Sequence, residues 1–329
     1  MKLIATDGES KTYPASGRLD PFPNGWFCIE RGEALTSGRL IEKKWMGRDI
    51  VAWRDSNGRV CVADAICPHL GSHLGPSTGG RLLGDHLVCP FHGFRYDTLG
   101  RCVARPGGPP PRSARLGCFQ VAEANGFVFA WHHHSGEEPG WWPAEMTNSV
   151  AKRSVGIVRM AGHPQVTSEN SVDSAHFSYI HGYQEFRQLA KAQVAGPILR
   201  SSYGFRRNML TRGLRWAKIE VEIAIEVWGL GISTVFVETR SGMRVRQWVL
   251  STPVDGDVVD CWLAVDVERL PQWRWIRGPM DWLGRRLSAR LFLMELVQDV
   301  NFRSRPVLSG ADRDILRFRK YCEQFYATQ

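Results

Sequence analysis

The chain has 329 residues and a formal net charge of +9, and 43% of its residues are hydrophobic. This length predicts two domains, and the composition excludes a disordered chain because it can form sizeable apolar cores. No apolar run reaches the roughly 18 residues of a membrane span, and the N-terminus lacks a signal-peptide core. The sequence therefore predicts a soluble, cytoplasmic protein.

The net charge and the cysteine pattern restrict the expected partners and the expected role of the cysteines. The sequence contains no recognised nucleic-acid module and no block of five Lys/Arg, so nucleic acid is not an expected partner. An acidic protein partner fits the positive charge better, and an arginine-rich solvated surface is the alternative. Because the eight cysteines follow no framework of a small secreted fold, metal ligation is favoured over disulfides.

Short strands and turns are predicted along the first part of the chain. The segments "IVAWR" and "RVCVADAIC" flank Asn57-Gly58, and Asn125-Gly126 lies within "FQVAEANGFVFAWHH". Each Asn-Gly pair predicts a hairpin. A Gly- and Pro-rich stretch near residues 133–146 predicts a domain boundary. We therefore assign residues 1–140 to an all-β domain and residues 141–329 to a second domain.

The second part of the chain predicts a different architecture. "AKIEVEIAIEVW" alternates as a half-buried strand does, and "TVFVETRS", "MRVRQWVLST" and "VVDCWLAVDVERL" continue the pattern. Helical patterns precede these strands and follow them, the latter in "MDWLGRRLSARLFLMELVQDV". An antiparallel sheet with helices against it, and so an α+β fold class, is expected.

Two short motifs predict a first metal site. Residues 67–71 read "CPHLG" and residues 89–93 read "CPFHG". Two thiolates and two imidazoles bind zinc or a 2Fe–2S cluster of the Rieske type. Each Cys/His pair lies between proline and glycine rather than on a zinc-finger helix, which favours two tight loops around a cluster. Cys67 and Cys89 would bind one iron, and His69 and His92 the other.

The stretch "ENSVDSAHFSYIHG", residues 169–182, contains a second candidate. On a regular helix Asp173 and His176 share a face, whereas His176 and His181 are about 140° apart. Both histidines can point at one metal only if the helix ends, unwinds or bulges between them, and such irregularity often marks a functional site. An ordinary helix with two scattered histidines is the alternative from this stretch alone.

On these motifs the sequence resembles the Rieske non-haem iron oxygenases. Respiratory Rieske proteins have an additional cysteine in each loop, where this chain has Ser72 and Phe91. The resemblance implies an N-terminal Rieske domain and a C-terminal helix-grip catalytic domain. It also implies that His176 and His181 bind a mononuclear Fe(II) that uses O2 as co-substrate. A carboxylate completes such a site.

The resemblance implies roles for further residues. Asp299 matches best as the third iron ligand, with Glu295 as the alternative. Asn170 and Asp173 belong to the family pattern around the two histidines. Asp173 is implied to join His176 of its own chain to His92 of a neighbouring chain, as an electron-transfer bridge. The implied assembly is a head-to-tail homotrimer.

Longer segments narrow the resemblance. "PFPNGWFCI", "VADAICPHLGSHLG", "GLGIS" and "DILRFRKYCEQFY" look most like 3-ketosteroid 9α-hydroxylase oxygenases and cholesterol 7-desaturases. The implied function is the terminal oxygenase component that hydroxylates or desaturates a fused-ring, steroid-like hydrophobic substrate. An O-demethylase or aromatic-ring hydroxylase is the alternative. Phe94, where tryptophan is common, and Phe302-Arg303, where Ile-Trp is usual, depart from the pattern.

The remaining expectations concern partners. The chain has no Gly-rich dinucleotide fingerprint, so a separate NAD(P)H-dependent reductase with flavin and a ferredoxin centre is expected to supply electrons. A pure electron-transfer ferredoxin is disfavoured because such chains stop near residue 130. The Trp/Arg-rich segment 271–287 predicts a pocket lid, a peripheral membrane contact or plain surface.

Overall fold

The computed structural model describes residues 4–5, 19–146, 153–173, 183–208, 218–270, 283, 286–290, 293 and 313–326. Four β-sheets organise these residues. Within the described ranges, no helix is long and apolar enough to cross a membrane.

Three small sheets occupy the N-terminal part. After β1 (Ile4–Ala5), which belongs to the large sheet described below, ten strands follow: β2 (Gly25–Arg31), β3 (Leu40–Trp45), β4 (Arg48–Arg54), β5 (Val60–Asp64), β6 (Arg81–Leu83), β7 (His86–Val88), β8 (Arg95–Tyr96), β9 (Cys102–Ala104), β10 (Val121–Ala124) and β11 (Phe127–His132). Their order is β10-β11-β2, β3-β4-β5 and β6-β7-β8-β9. The predicted all-β character of this part is confirmed.

Both predicted Asn-Gly hairpins form. Between β4 and β5, the Asp55 carboxylate accepts hydrogen bonds from the N–H groups of Asn57 and Arg59, at 3.0 and 2.8 Å. Between β10 and β11, Asn125 and Gly126 have φ values of +53° and +73°. A two-residue hairpin turn of type I′ needs positive φ at both positions, which Asn-Gly adopts at low cost.

The C-terminal part is a single large sheet with helices against it. Its strands are β12 (Ser154–Ala161), β13 (Gln184–Ala195), β14 (Ile198–Asn208), β15 (Lys218–Trp228), β16 (Ile232–Thr239), β17 (Arg244–Asp255) and β18 (Val258–Arg269). The order is β1-β12-β18-β17-β16-β15-β14-β13, antiparallel except for the β1–β12 pair. The α-helices are α1 (Pro164–Glu169) and α2 (Arg313–Cys322), residues 286–290 are also helical, and three short 3₁₀ turns span Gly32–Ala34, Pro76–Thr78 and Glu323–Phe325. The predicted α+β class is confirmed.

One face of the large sheet forms the main core. Alternate residues of β15, from Val221 to Val227, are buried, while Glu222 and Ala224 between them are exposed. The buried face packs against Phe318 of α2, which is fully buried. Helices therefore cover the apolar face of the sheet.

The N-terminal sheets pack against the central strands β16 and β17 of this large sheet. The hydroxyl of Thr252 in β17 donates a hydrogen bond to the carbonyl of Cys28 in β2, at 2.8 Å. Trp26 and Trp248 belong to one apolar cluster that both parts share. Residues 133–146 contain no helix or strand, as expected for a connecting segment, and the division at residue 140 stays a prediction.

Candidate metal centre

The two Cys/His loops have the same backbone hydrogen-bond pattern. In each loop, the N–H of the cysteine donates to the carbonyl of the residue five positions after it. The N–H of the glycine, four positions after the cysteine, donates to the carbonyl of the cysteine. The distances are 2.8 and 2.9 Å around Cys67, and 2.8 and 3.1 Å around Cys89. The glycines, Gly71 and Gly93, have φ values of +75° and +68°, which glycine adopts without steric cost. Both loops are therefore tight turns, as predicted.

The four candidate ligands converge at one end of the N-terminal part. Cys67 and Cys89 are 1% and 2% exposed, and their thiols are close enough to interact. His69 and His92 are exposed, with ring centroids 4.9 Å apart and planes at 74°. The sulfurs thus face the core and the imidazoles face the surface.

Two phenylalanines position the imidazoles. The ring of buried Phe94 stacks on His69, with centroids 4.3 Å apart and an interplanar angle of 14°. Phe91 lies against His92 with centroids 4.0 Å apart, and its side chain is 65% exposed. Phe94, where tryptophan is common in the resembled family, therefore supplies the aromatic face on which His69 rests.

Tyr96 is a site residue that the sequence analysis missed. Its hydroxyl lies 3.1 Å from the Cys67 sulfur, and its side chain is fully buried. Burial, reinforced by this hydrogen bond, raises the pKa of Tyr96, so the phenol keeps its proton and can donate to the sulfur when Cys67 binds iron as a thiolate. Its place in β8, directly after the second loop, is the only sequence signal for this contact.

These residues fit a 2Fe–2S cluster. Two adjacent buried thiols and two adjacent exposed imidazoles match the two-Cys, two-His set in which each iron takes two protein ligands.

The predicted second site lies largely outside the described residues. His176, His181, Asp299 and the alternative Glu295 all belong to the ranges that the structure does not describe. Asn170 is described as the residue that ends α1.

Helix α1 fixes the segment that leads to this second site. His163 caps the helix: its Nδ1 accepts from the N–H of Gln165 at 3.1 Å, and its Nε2–H donates to the carbonyl of Asp20 at 2.9 Å. The Glu169 carboxylate pairs with Arg319 of α2 at 2.8 Å. The segment is therefore tied both to the N-terminal part and to the C-terminal helix.

Two residues beyond α1 lie against the large sheet. Val172 is 1% exposed and belongs to the sheet core. Burial raises the pKa of Tyr203 on β14, and the carboxylates of Asp314 and Asp173 add to that shift. Asp173 therefore lies near this face of the sheet.

Two family matches cover nearly all of this architecture. Residues 25–120 match the Rieske [2Fe-2S] domain. Residues 130–326 match the 3-ketosteroid 9alpha-hydroxylase C-terminal domain. The chain belongs to the Rieske oxygenases of the 3-ketosteroid 9α-hydroxylase family. The predicted family, and with it the class of oxidoreductase, is confirmed.

Named relatives agree with this assignment. A cholesterol 7-desaturase of Drosophila melanogaster is 33% identical, over 94% of this chain and 76% of its own length. The 3-ketosteroid-9-alpha-monooxygenase oxygenase component of Rhodococcus rhodochrous is 27% identical, over 93% of this chain and 84% of its own. The match to the cholesterol 7-desaturase of Hemicentrotus pulcherrimus is 33% identical over 51% of this chain, and spans only 37% of that relative.

The fold recurs in a solved structure. Dicamba monooxygenase with non-heme iron and dicamba superposes with a TM-score of 0.65 over 92% of this chain and 96% of that one, at 17% identity. At this identity the likeness concerns the fold alone.

Replacing Tyr96 by phenylalanine should lower the reduction potential of the cluster. The hydrogen bond to Cys67 stabilises negative charge on the sulfur, and the reduced cluster carries more of it. We expect a decrease on the order of 50 mV, about a tenfold change for a one-electron couple. A redox titration followed by visible absorbance measures it. The control is Tyr203→Phe, which changes a buried tyrosine of the large sheet and should leave the potential unchanged. If the Tyr96 variant has an intact cluster and an unchanged potential, the proposed role of Tyr96 is contradicted.

Proposed function

We propose that this chain is the terminal oxygenase component of a multicomponent Rieske monooxygenase that hydroxylates or desaturates a fused-ring, steroid-like substrate. The observation that carries the proposal is the match of residues 130–326 to the C-terminal domain of 3-ketosteroid 9α-hydroxylases. Relatives that align over more than nine-tenths of this chain have names that specify cholesterol or a 3-ketosteroid as substrate.

The helix-covered face of the large sheet supports an apolar substrate. Its buried positions across β14, β15, β17 and β18 are uncharged and mostly aliphatic or aromatic: Leu199, Ser201, Tyr203, Phe205, Val221, Ile223, Ile225, Val227, Val245, Gln247, Ser251, Val259, Cys261, Leu263, Val265 and Val267. A steroid bound between this face and the helices that cover it would be held mainly by burial of its own surface, at about 25 cal/mol per Å² of apolar area. Hydroxyl and amide groups such as Ser201 and Gln247 suit one or two ring oxygens.

The proposed metals divide the chemistry between two sites. Cys67, Cys89, His69 and His92 would hold the 2Fe–2S cluster. His176, His181 and Asp299 are proposed to hold the mononuclear iron. When bound, the cluster supplies single electrons, and the iron offers open positions for O2, as two-His, one-carboxylate sites do. Either reaction would consume one O2, two electrons and two protons. Hydroxylation would place one oxygen atom on the substrate and release the other as water, whereas desaturation would remove two hydrogens from the substrate and release both oxygen atoms as water.

The surface position of the imidazoles supports electron exchange with other proteins. His69 and His92 are exposed, whereas both cysteines are buried, so electrons enter and leave on the histidine side. We propose that a separate NAD(P)H-dependent flavin/ferredoxin reductase delivers them. A homotrimer in which Asp173 of one chain meets His92 of the next would pass them on to the mononuclear iron.

The substrate class is tested with the metal-loaded protein and a low-potential electron donor. We expect 3-ketosteroids or cholesterol to accelerate oxygen uptake, and mass spectrometry to detect a product that has gained one oxygen atom or lost two hydrogens. Methoxyaromatic acids serve as the comparison. Oxygen uptake that is coupled to a methoxyaromatic and indifferent to every steroid would refute the steroid assignment and favour an O-demethylase.

Metal analysis tests the two sites separately. The purified protein should be red-brown and contain about three irons per chain, two in the cluster and one mononuclear. His176→Ala and Asp299→Ala should keep the colour and lose one iron, whereas Glu295→Ala, the matched control, should keep all three. Loss of iron from the Glu295 variant alone would move the ligand to that residue. A colourless protein with stoichiometric zinc would refute the Rieske assignment.

A further inference from the structure

A pair of cysteines outside the cluster lies in the same domain. The sulfurs of Cys61 and Cys118 are 3.6 Å apart, although the residues are 57 positions apart in sequence. Cys61 belongs to β5 and is buried, and Cys118 is exposed. Neither residue is a cluster ligand, and we refer to the two as the thiol pair.

The backbone brings the pair together. Residues 117–119 run antiparallel to β5: Cys118 forms a bridge with Ala63, and the N–H of Phe119 donates to the carbonyl of Val62 at 2.9 Å. In such a pairing Cys61 and Cys118 are diagonal neighbours on one face, within reach of each other.

A glycine opposite the pair makes room for it. A Cβ at Gly100 would lie 2.7 Å from the Cys118 sulfur, which is too close for any other residue. The position of the Cys118 side chain therefore depends on the absence of a side chain at residue 100.

The two thiols differ in reactivity. The hydrogen bond from Cys61, helped by the Arg115 guanidinium, holds the pKa of Cys118 below its usual value. The same hydrogen bond and burial raise the pKa of Cys61. Since the thiolate is the nucleophile and must be accessible, Cys118 is suited to attack an oxidant, with Cys61 placed to react second.

We propose that Cys61 and Cys118 are a dithiol that hydrogen peroxide oxidises to a disulfide. The Cys118 thiolate attacks peroxide: an S–O bond forms, the O–O bond breaks, and protonation of the leaving oxygen releases water. The Cys61 thiol then attacks the sulfenic sulfur: the S–S bond forms, the S–O bond breaks, and a second water leaves. Two thiols lose two electrons and two protons in all, and one peroxide becomes two waters. A disulfide needs a sulfur separation of about 2.05 Å, and diagonal neighbours are about 7–8 Å apart. Bond formation therefore requires the exposed Cys118 side chain to rotate and its backbone segment to move toward β5.

The disulfide would enclose the cluster site. The ring from residue 61 to residue 118 contains both cluster loops, with Cys67 and His69 in the first and Cys89 and His92 in the second. Cross-linking a segment of this length restricts the unfolded chain and so favours the folded state. Oxidation of the thiol pair should therefore stabilise the Rieske domain against unfolding.

Peptide mapping of the cluster-loaded protein tests the proposal. After stoichiometric hydrogen peroxide, alkylation of the remaining thiols and proteolysis, we expect a cross-linked peptide that contains Cys61 and Cys118 and disappears on reduction with dithiothreitol. Oxidised protein should melt about 5–10 °C higher than reduced protein. Peroxide treatment of Cys118→Ser should give neither the peptide nor the shift.

Two further variants distinguish oxidation of the thiol pair from non-specific oxidation of other cysteines. Cys102→Ser, which changes another cysteine of the same domain, should form the cross-link as the unmodified protein does. Cys61→Ser should stop at the sulfenic acid of Cys118, which dimedone traps. Over-oxidation of Cys118 without any cross-link, or cross-links that contain Cys67 or Cys89 in place of the pair, would overturn the proposal.

Discussion

Asp173→Asn is expected to keep both metals and to lower electron transfer between them by about 100-fold. The substitution preserves the size of the side chain but removes its negative charge. Carboxylates that hydrogen-bond to metal-bound histidines orient the imidazole and raise its basicity, and their loss typically costs about 10- to 100-fold in affinity or activity. In the proposed bridge Asp173 contacts two such histidines, so the larger loss is expected.

The described structure fixes the segment that leads to Asp173. The segment that contains Asp173 follows α1, which is capped by His163 and paired through Glu169 to Arg319. Val172, immediately before Asp173, is 1% exposed in the sheet core. Because α1 and Val172 are held in place, the backbone that leads to Asp173 has little freedom to move.

The measurement is a single-turnover experiment on the reduced, metal-loaded protein with substrate, followed by cluster reoxidation. Glu169→Gln is the matched control: it removes a carboxylate four residues earlier, which the structure places against Arg319 at 2.8 Å. The control should reoxidise at the unmodified rate even if it is less stable. Unchanged reoxidation in Asp173→Asn would refute the bridge.

The strands from β15 to β18 were predicted, and the edge strand β13 was not. Strand β15 alternates between buried and exposed residues from Val221 to Ile225 because one face meets the core, and β17 and β18 contain the longer buried apolar runs of strands covered on both faces. The edge strand β13, by contrast, is exposed at ten of its twelve positions, so its sequence "QEFRQLAKAQVA" has no reason to alternate. Strands β12 and β14 were also not predicted, and the sheet is larger than the sequence indicated.

The cluster site was predictable for a local reason. All four candidate ligands lie in two pentapeptides whose proline and glycine determine the loop shape. Contacts between distant residues have no such signal: Tyr96 meets Cys67 across 29 positions, and Cys118 meets Cys61 across 57. Only the pairing of strands and loops in the fold brings these side chains together.

Asp266→Leu is expected to destabilise the protein by about 3–5 kcal/mol. Asp266 on β18 is 1% exposed, and its carboxylate accepts from Arg153 at 2.7 and 2.6 Å and from the Trp248 indole at 2.9 Å. Arg153 also donates to the carbonyl of Asn125 and lies over the Phe127 ring at 4.6 Å. The substitution leaves a guanidinium charge buried without a counter-ion, and it weakens the contact of the large sheet with the β10–β11 hairpin.

An exposed pair on the same two chain segments is the control. Arg159 on β12 and Asp260 on β18 form an equivalent contact at 2.7 Å, but the arginine side chain is 49% exposed. Solvent screens that pair, so Asp260→Leu should cost about 1 kcal/mol or less. Urea unfolding followed by tryptophan fluorescence reports both changes, since Trp26 and Trp248 lie in the shared apolar cluster.

A double variant tests whether the two charges act as a pair. Arg153→Leu with Asp266→Leu should lower the free energy of unfolding by less than the sum of the two single changes, because neither charge then remains buried alone. If Asp266→Leu and Asp260→Leu lowered the free energy of unfolding equally, burial of an ion pair would not determine its contribution to stability.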